Sequence, residues 1–334
     1  VIGHPRLSFS LWDDEVTTVE RSLDGFYERD ASGEIGFVEA RWRDTVWFYN
    51  QPNNHVPFTI VARLTLAAWR AVAQPELRFV DEGVFRLPAH LAGLASLVLL
   101  AVFLRRIGYW LPGVCAAWLL ALHPWMLRYT TEARGYAQML ALIPLTLTLW
   151  VRALHRGTWG RWLAFGACQV LLLYTYPGTL YFLVLLNAFT PLALLHLHWG
   201  TPALWQQLPR WLLAGLAGAM AWLQLMLPNM MQLVEYLGEY DSDTPPRFLA
   251  NVLASLWVGL GWKVGELGEH YAELMDMALA HPLAFRAGLA VTLLALTAGF
   301  FRLLVAGGVR ALIGLVLLLP APLSYWIAMA RDDR

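Results

Sequence analysis

About eight apolar stretches approach the roughly 20 residues that a helix needs to cross some 30 Å of hydrocarbon. They run approximately 86–104, 107–122, 135–151, 162–177, 178–198, 211–227, 287–305 and 311–330. In hydrocarbon every backbone N–H and C=O must be bonded within the protein, which leaves only helices and closed barrels, and runs of this length select helices. Pro144, Gly166 and Pro320 fall inside these runs without ending them, because neighbouring helices satisfy the freed backbone groups. Composition agrees: 58% of residues are hydrophobic and 14% charged, against about one-quarter charged in a soluble domain. The expected fold class is all-α, a polytopic membrane protein built as a transmembrane helix bundle with surface helices on one side.

Arginine sets the orientation, because basic residues in short connections stay on the cytoplasmic side. Arg105 and Arg106, then Arg152, Arg156 and Arg161, then Arg210, then Arg302 and Arg310 occupy every second connection, with no acid among them. The acids collect on the opposite, periplasmic or extracytoplasmic face: in 1–85, in 123–134, in 228–286, and at Asp332 and Asp333. An even number of spans leaves both ends outside, so a further helix before Val1 is expected, giving about nine spans. The organisation expected is a first outer loop (1–85), a transmembrane core (86–227), a second outer loop (228–286) and C-terminal transmembrane helices (287–334).

Within the first loop, Trp12, Val16, Val19, Leu23 and Phe26 recur at helical spacing, with Glu20, Asp24 and Glu28 on other faces, which predicts an amphipathic surface helix. A second such helix is expected from Pro57 to about Ala73, and "YDSDTPPR" (240–247) is a polar break followed by two more surface-helix candidates. Zero formal net charge gives no electrostatic reason to bind nucleic acid. Cys115 and Cys168 lie inside apolar runs, as small core residues rather than a disulfide or thiolate site.

Three stretches carry candidate chemistry. "WDDEVTT" (12–18) clusters Asp13, Asp14 and Glu15. Two readings fit: carboxylates that start a helix through capping and the macrodipole, or a general base where a membrane-bound substrate meets water. Adjacent helical residues point about 100° apart, so one of Asp14 and Glu15 can face substrate while the other faces scaffold. "RYTTEARGYAQ" (128–138) gathers Glu132, Arg134 and Tyr136 in a short outer connection. Its arginine either snorkels to lipid headgroups or presents a planar fork to a phosphate or carboxylate. "QPNNHVPF" (51–58) and "FRLPAHLAG" (85–93) add His55 and Arg86; His55 either caps the following helix or contacts a leaving group.

Taken in order, these stretches resemble the GT-C class of membrane glycosyltransferases, in the branch of the protein O-mannosyltransferases and lipid A aminoarabinose transferases. The resemblance rests on Asp14-Glu15, "NNHVPF", Arg86-Leu87-Pro88 and Glu132-Ala133-Arg134-Gly135-Tyr136, and covers roughly residues 8 to 200. Val56 breaks the family's usual pair of prolines after the histidine. Tyr174 and Tyr176 stand where relatives often carry a His-Tyr pair, so acceptor handling is expected to differ.

The resemblance implies a polyprenyl-phosphate sugar as donor, and a protein, lipid or glycan as acceptor. Asp14 would be the base and Glu15 would hold Arg134 or the acceptor. Arg134 and Arg86 would bind the donor phosphate, with Glu132, Tyr136 and His55 in support. Inversion at the anomeric carbon is expected, without a covalent intermediate. No metal or other cofactor is expected, as there is no HExxH, and the "DSD" at 241–243 lies far along the chain. The competing class is a transporter or lipid flippase, which would place ionisable residues near mid-span; here they gather in the outer loops.

Overall fold

A computed structural model describes residues 7–49, 54–75, 80–239, 279 and 282–332. The break expected at 240–247, and the surface helices expected after it, lie outside the described residues. The chain divides into two compact units, one of Val1–Leu122, Met126–Thr179 and Pro209–Tyr240, the other of His123–Trp125, Leu180–Leu208 and Asp241–Arg334.

The opening surface helix is much shorter than its periodicity predicts. An α-helix, α1 (Asp13–Thr18), widens into one π-helical turn (Val19–Leu23) and stops where the Asp24 N–H meets the Val19 carbonyl at 2.8 Å. Gly25 then turns the chain with φ +137°, and a Cβ there would lie 2.2 Å from the Val38 carbonyl oxygen, so only glycine fits. A hairpin after this turn corrects the expectation of helices alone: β1 (Gly25–Arg29) pairs antiparallel with β2 (Ile35–Glu39). The hairpin turn is built by Asp30, whose Oδ1 accepts hydrogen bonds from the Ser32 N–H, the Ser32 hydroxyl and the Glu34 N–H. These bonds hold the exposed Asp30 carboxyl below the usual carboxylate range.

Next come α2 (Trp42–Trp47) and α3 (Val56–Ala73). Expected to lie on the surface, α3 is instead long and apolar enough to cross a membrane. Its two arginines tie down the first loop. Arg63 donates to the Ala40 carbonyl and to the Thr45 hydroxyl, and Arg70 grips both oxygens of Asp24 at 3.0 and 3.2 Å.

The helices after these are α4 (Glu82–Arg106), α5 (Trp110–Leu122), α6 (Pro124–Tyr129), α7 (Tyr136–His155), α8 (Trp159–Thr175), α9 (Leu180–His198), α10 (Pro202–Met226) and α11 (Met230–Glu239). Then come α12 (Pro282–Ala306), α13 (Gly308–Leu318) and α14 (Pro320–Asp332). Among the described residues six helices or helix runs are long and apolar enough to span a membrane, the bent pair α13 and α14 making a seventh if taken as one span. The expected 311–330 span is thus broken, with a 41° bend at Pro320, which lacks the N–H to continue the ladder. The 13 residues of α5 rise only about 20 Å, short of a full crossing.

In the first unit α4 packs against α3, α5 and α7, and α7 against α8. Trp150, Leu147 and Leu154 of α7, with Trp162 and Phe165 of α8, are fully covered. A second cluster of Phe58, Ala62 and Leu66 on α3 with Phe85 and Ala89 on α4 packs with Ala133 and Ala137. That cluster fixes the connection between α6 and α7 against the start of α4. In the second unit α9 packs on α13 and α14, and α12 on α13.

Candidate active site

Glu15 is the hub of the site and is completely buried. Its side chain caps its own helix, accepting from the Trp12 N–H at 3.3 Å, and accepts the Ala133 N–H at 2.6 Å. Both of its oxygens also receive Arg86, from Nε at 2.9 Å and from Nη2 at 2.5 Å. One carboxylate therefore joins α1, α4 and the connection before α7. Of the three clustered acids, it is Glu15 that combines the helix-start role with a scaffold role, which leaves Asp14 to face outward.

Arg86 sits at the first turns of α4 and is 3% exposed. Besides its two bonds to Glu15, it donates to the carbonyls of Leu7, Phe9 and Ser10. Its three nitrogens carry five N–H groups, and five bonds within the protein use them. Expected from the resemblance to bind phosphate, Arg86 offers no donor for one; it braces the segment that leads into α1. Glu15, expected to hold Arg134 or the acceptor, holds Arg86 instead.

Asp14 and Arg134 meet. The Asp14 Oδ2 lies 3.0 Å from Arg134 Nη1, with the aspartate side chain 31% exposed and the arginine 3%. The guanidinium is also 5.6 Å from the centre of the Tyr136 ring and 5.9 Å from that of Trp12, within cation–π range. A tight turn aims it: the Arg134 N–H donates to the Glu132 carbonyl at 2.8 Å, and Gly135 caps α7. Glu132 itself pairs with Arg128, Nε to Oε1 at 2.5 Å, one helical turn apart. Burial pushes the Glu132 carboxyl up, and Arg128 opposes that shift.

His55 precedes α3, but its side chain does not cap it. Its Nδ1 lies 2.9 Å from the Thr175 carbonyl. A carbonyl only accepts, so the proton is on Nδ1 and the Nε2 lone pair can accept. The ring meets Tyr136 edge-on at 4.8 Å and stacks on Tyr176 at 5.9 Å. Burial, and then the charge of Arg134, hold its pKa down to about 3, so the imidazole is neutral at physiological pH. Gly135 permits this arrangement, because a Cβ there would lie 2.6 Å from the His55 Cβ.

The site therefore brings Asp14, Arg134, Tyr136 and His55 into one neighbourhood, with Glu15 and Arg86 as its frame and Glu132 on a separate pair with Arg128. Two participants are absent from the sequence-based candidates. Arg128 is signalled only by its i, i+4 spacing to Glu132, and Trp12 by nothing beyond its place in an apolar stripe. Chemically, a partly exposed carboxylate beside a buried guanidinium can take a proton at one atom while neutralising an anion at the next. Among the described residues no three His, Cys, Asp or Glu side chains group as metal ligands would. Comparison of the chain with known family models and with curated proteins finds no match to either.

Proposed function

We propose that this chain is an inverting glycosyltransferase of the GT-C type, moving a sugar from a polyprenyl-phosphate donor to a protein, lipid or glycan acceptor at the outer face of the membrane. The observation that carries this reading is the direct pairing of Asp14 with Arg134, the residues that the resemblance nominates for base and phosphate partner.

In this reading the acceptor hydroxyl or amine loses its proton to Asp14 as it attacks the anomeric carbon, and the bond from that carbon to the phosphate oxygen breaks. Bases of this kind contribute about 10² to 10⁴ in rate. The departing polyprenyl phosphate gathers charge opposite Arg134, whose planar donors suit phosphate oxygens. The phosphate competes with Asp14 for the guanidinium, so donor binding itself releases the carboxylate for proton transfer. Glu15 and Arg86 set the position of both without touching substrate. The apolar spans hold the polyprenyl chain in the bilayer.

The test is sugar transfer by the protein in lipid from radiolabelled polyprenyl-phosphate sugars to an envelope extract. Asp14→Asn should abolish transfer while donor binding and folding persist. Full activity of that variant would remove the base assignment.

A further inference from the structure

Between α4 and α5 runs an open groove of about 410 Å³, formed by Leu97, Ala101 and Arg105 of α4 with Val114, Ala117 and Trp118 of α5. Its origin is local. Gly113 lets the two helices close on each other near the turn that joins them, where a Cβ would lie 2.9 Å from the Leu104 Cβ. Along the facing surfaces Ala101, Ala117 and Ala121 then leave space that larger side chains would fill. A second cavity of about 230 Å³ continues the groove, sharing Leu97, Trp118 and Ala121 with it and ending at His90, Met126 and Thr130. From His90 to Arg105 the helix rises about 22 Å, more than half of a hydrocarbon core of about 30 Å. A furrow that is long, narrow and apolar fits an extended hydrocarbon chain rather than a compact solute.

The charged end of the furrow decides which chain. Arg105 is the one charged residue that lines either cavity, and no acid does. Its side chain is exposed, its guanidinium lies 5.4 Å from the centre of the Trp110 ring, and among the described residues it makes no hydrogen bond or ion pair. Tryptophan beside arginine at the end of a spanning helix marks the headgroup level, and the guanidinium fork suits phosphate oxygens. The tail of a polyprenyl phosphate held at Arg134 would use the furrow less well. Its phosphate would sit near the Arg86 end of α4, about 28 Å of helix from Arg105, and would leave that cation without a counter-charge. A lipid whose phosphate lies at Arg105 uses both the cation and the furrow.

We infer that the α4–α5 groove is a binding site for an anionic phospholipid, its phosphate on Arg105 beside Trp110 and one acyl chain laid along Ala101 and Ala117 towards Ala121. The lipid belongs to the leaflet that meets the C-terminal end of α4. The inference uses the membrane-spanning length and apolarity of α4 and does not rest on the glycosyltransferase reading.

Native mass spectrometry of the protein in detergent, titrated with phosphatidylglycerol, phosphatidylcholine or undecaprenyl phosphate, tests it. Wild type should hold one phosphatidylglycerol at least about tenfold more tightly than phosphatidylcholine with the same chains. Arg105→Gln should abolish that preference, a loss of about 10- to 100-fold. Arg106→Gln removes a charge that does not line the groove, and should lose no more than about fivefold, the pull of any arginine on an anionic leaflet. Ala117→Leu should fill the groove and weaken both phospholipids about tenfold with the charge intact, through the burial of roughly two methylenes, while the lipid-free protein unfolds at the wild-type temperature. Equal binding of the two phospholipids by wild type, equal losses at Arg105 and Arg106, or wild-type binding by a folded Ala117→Leu protein would each overturn the site. The exposed arginine pair decides the matter alone where Ala117→Leu does not fold. Displacement of phosphatidylglycerol by an equimolar amount of undecaprenyl phosphate would also overturn it, giving the furrow to a polyprenyl tail.

Discussion

Replacing Glu15 by glutamine tests the frame of the site. The carboxylate receives four bonds, two from Arg86 and one each from the Trp12 and Ala133 backbone, and is fully enclosed. Glutamine keeps one acceptor oxygen but turns the other into an NH₂ that faces donors. Arg86, itself 3% exposed, is left as an uncompensated buried cation. Breaking one partner of such a pair costs about 3–5 kcal/mol. At roughly 2–4 °C per kcal/mol for a domain of comparable size, the unfolding temperature should drop by about 6–20 °C. Thermal unfolding in nanodiscs, with Arg86→Met and the double variant Glu15→Gln/Arg86→Met, completes the cycle. The double variant should recover much of the loss, since no bare charge remains. A Glu15→Gln protein as stable as wild type would refute the buried brace. Arg86→Met that folds normally yet loses polyprenyl-phosphate binding would return Arg86 to the phosphate role.

The same geometry makes three more outcomes measurable. Arg134→Ala should weaken binding of the polyprenyl-phosphate donor about 10- to 100-fold, the worth of a charge-assisted hydrogen bond, and unchanged affinity in a binding titration would count against its phosphate role. His55 is neutral in the fold down to a pH of about 3, whereas the unfolded chain protonates it near 6.5. Its contribution is therefore present above pH 6.5 and lost as pH falls, by about 1.4 kcal/mol per unit. Between pH 6.5 and 4.5 wild type should lose more stability than His55→Gln, and parallel melting curves would contradict the buried, neutral imidazole. The raised Glu132 carboxyl works the other way, gaining stability on acidification, but it is common to both proteins and cancels in the comparison. Gly135→Ala should cost about 1–3 kcal/mol by forcing His55 aside; a variant with wild-type stability and activity would show that the contact yields freely.

Much of the helical architecture is legible because apolar runs report directly on length, and α4, α7, α9 and α12 fall where such runs predict. The β1–β2 hairpin is hidden by competition between periods. Phe26 continues the 3.6-residue spacing from Trp12, yet Gly25 and the Asp30–Gly33 turn, both local signals, break it. The character of α3 is obscured for a related reason: Arg63 and Arg70 mark a polar face, but that face is spent on Asp24, Ala40 and Thr45 within the chain. For the site, the motifs nominate residues that do meet, Asp14 with Arg134, but not the Glu15–Arg86 brace beside them. Which of two adjacent carboxylates meets which arginine depends on partners 71 and 118 residues away from Glu15. No spacing rule reaches that far.

The division between neighbouring acids has a practical consequence. Glu15 is walled in and fixes the architecture, whereas the Asp14 carboxylate reaches Arg134 from the rim, and the bond that Asp14 accepts from Thr18 uses its backbone carbonyl, which an amide side chain leaves intact. On the proposed reading the proton-accepting oxygen can therefore be replaced without disturbing the Glu15 frame. Asp14→Asn would be a faithful but inert trap, able to accumulate donor and acceptor side by side where wild type would consume them, and so to reveal the identity of both by what it retains.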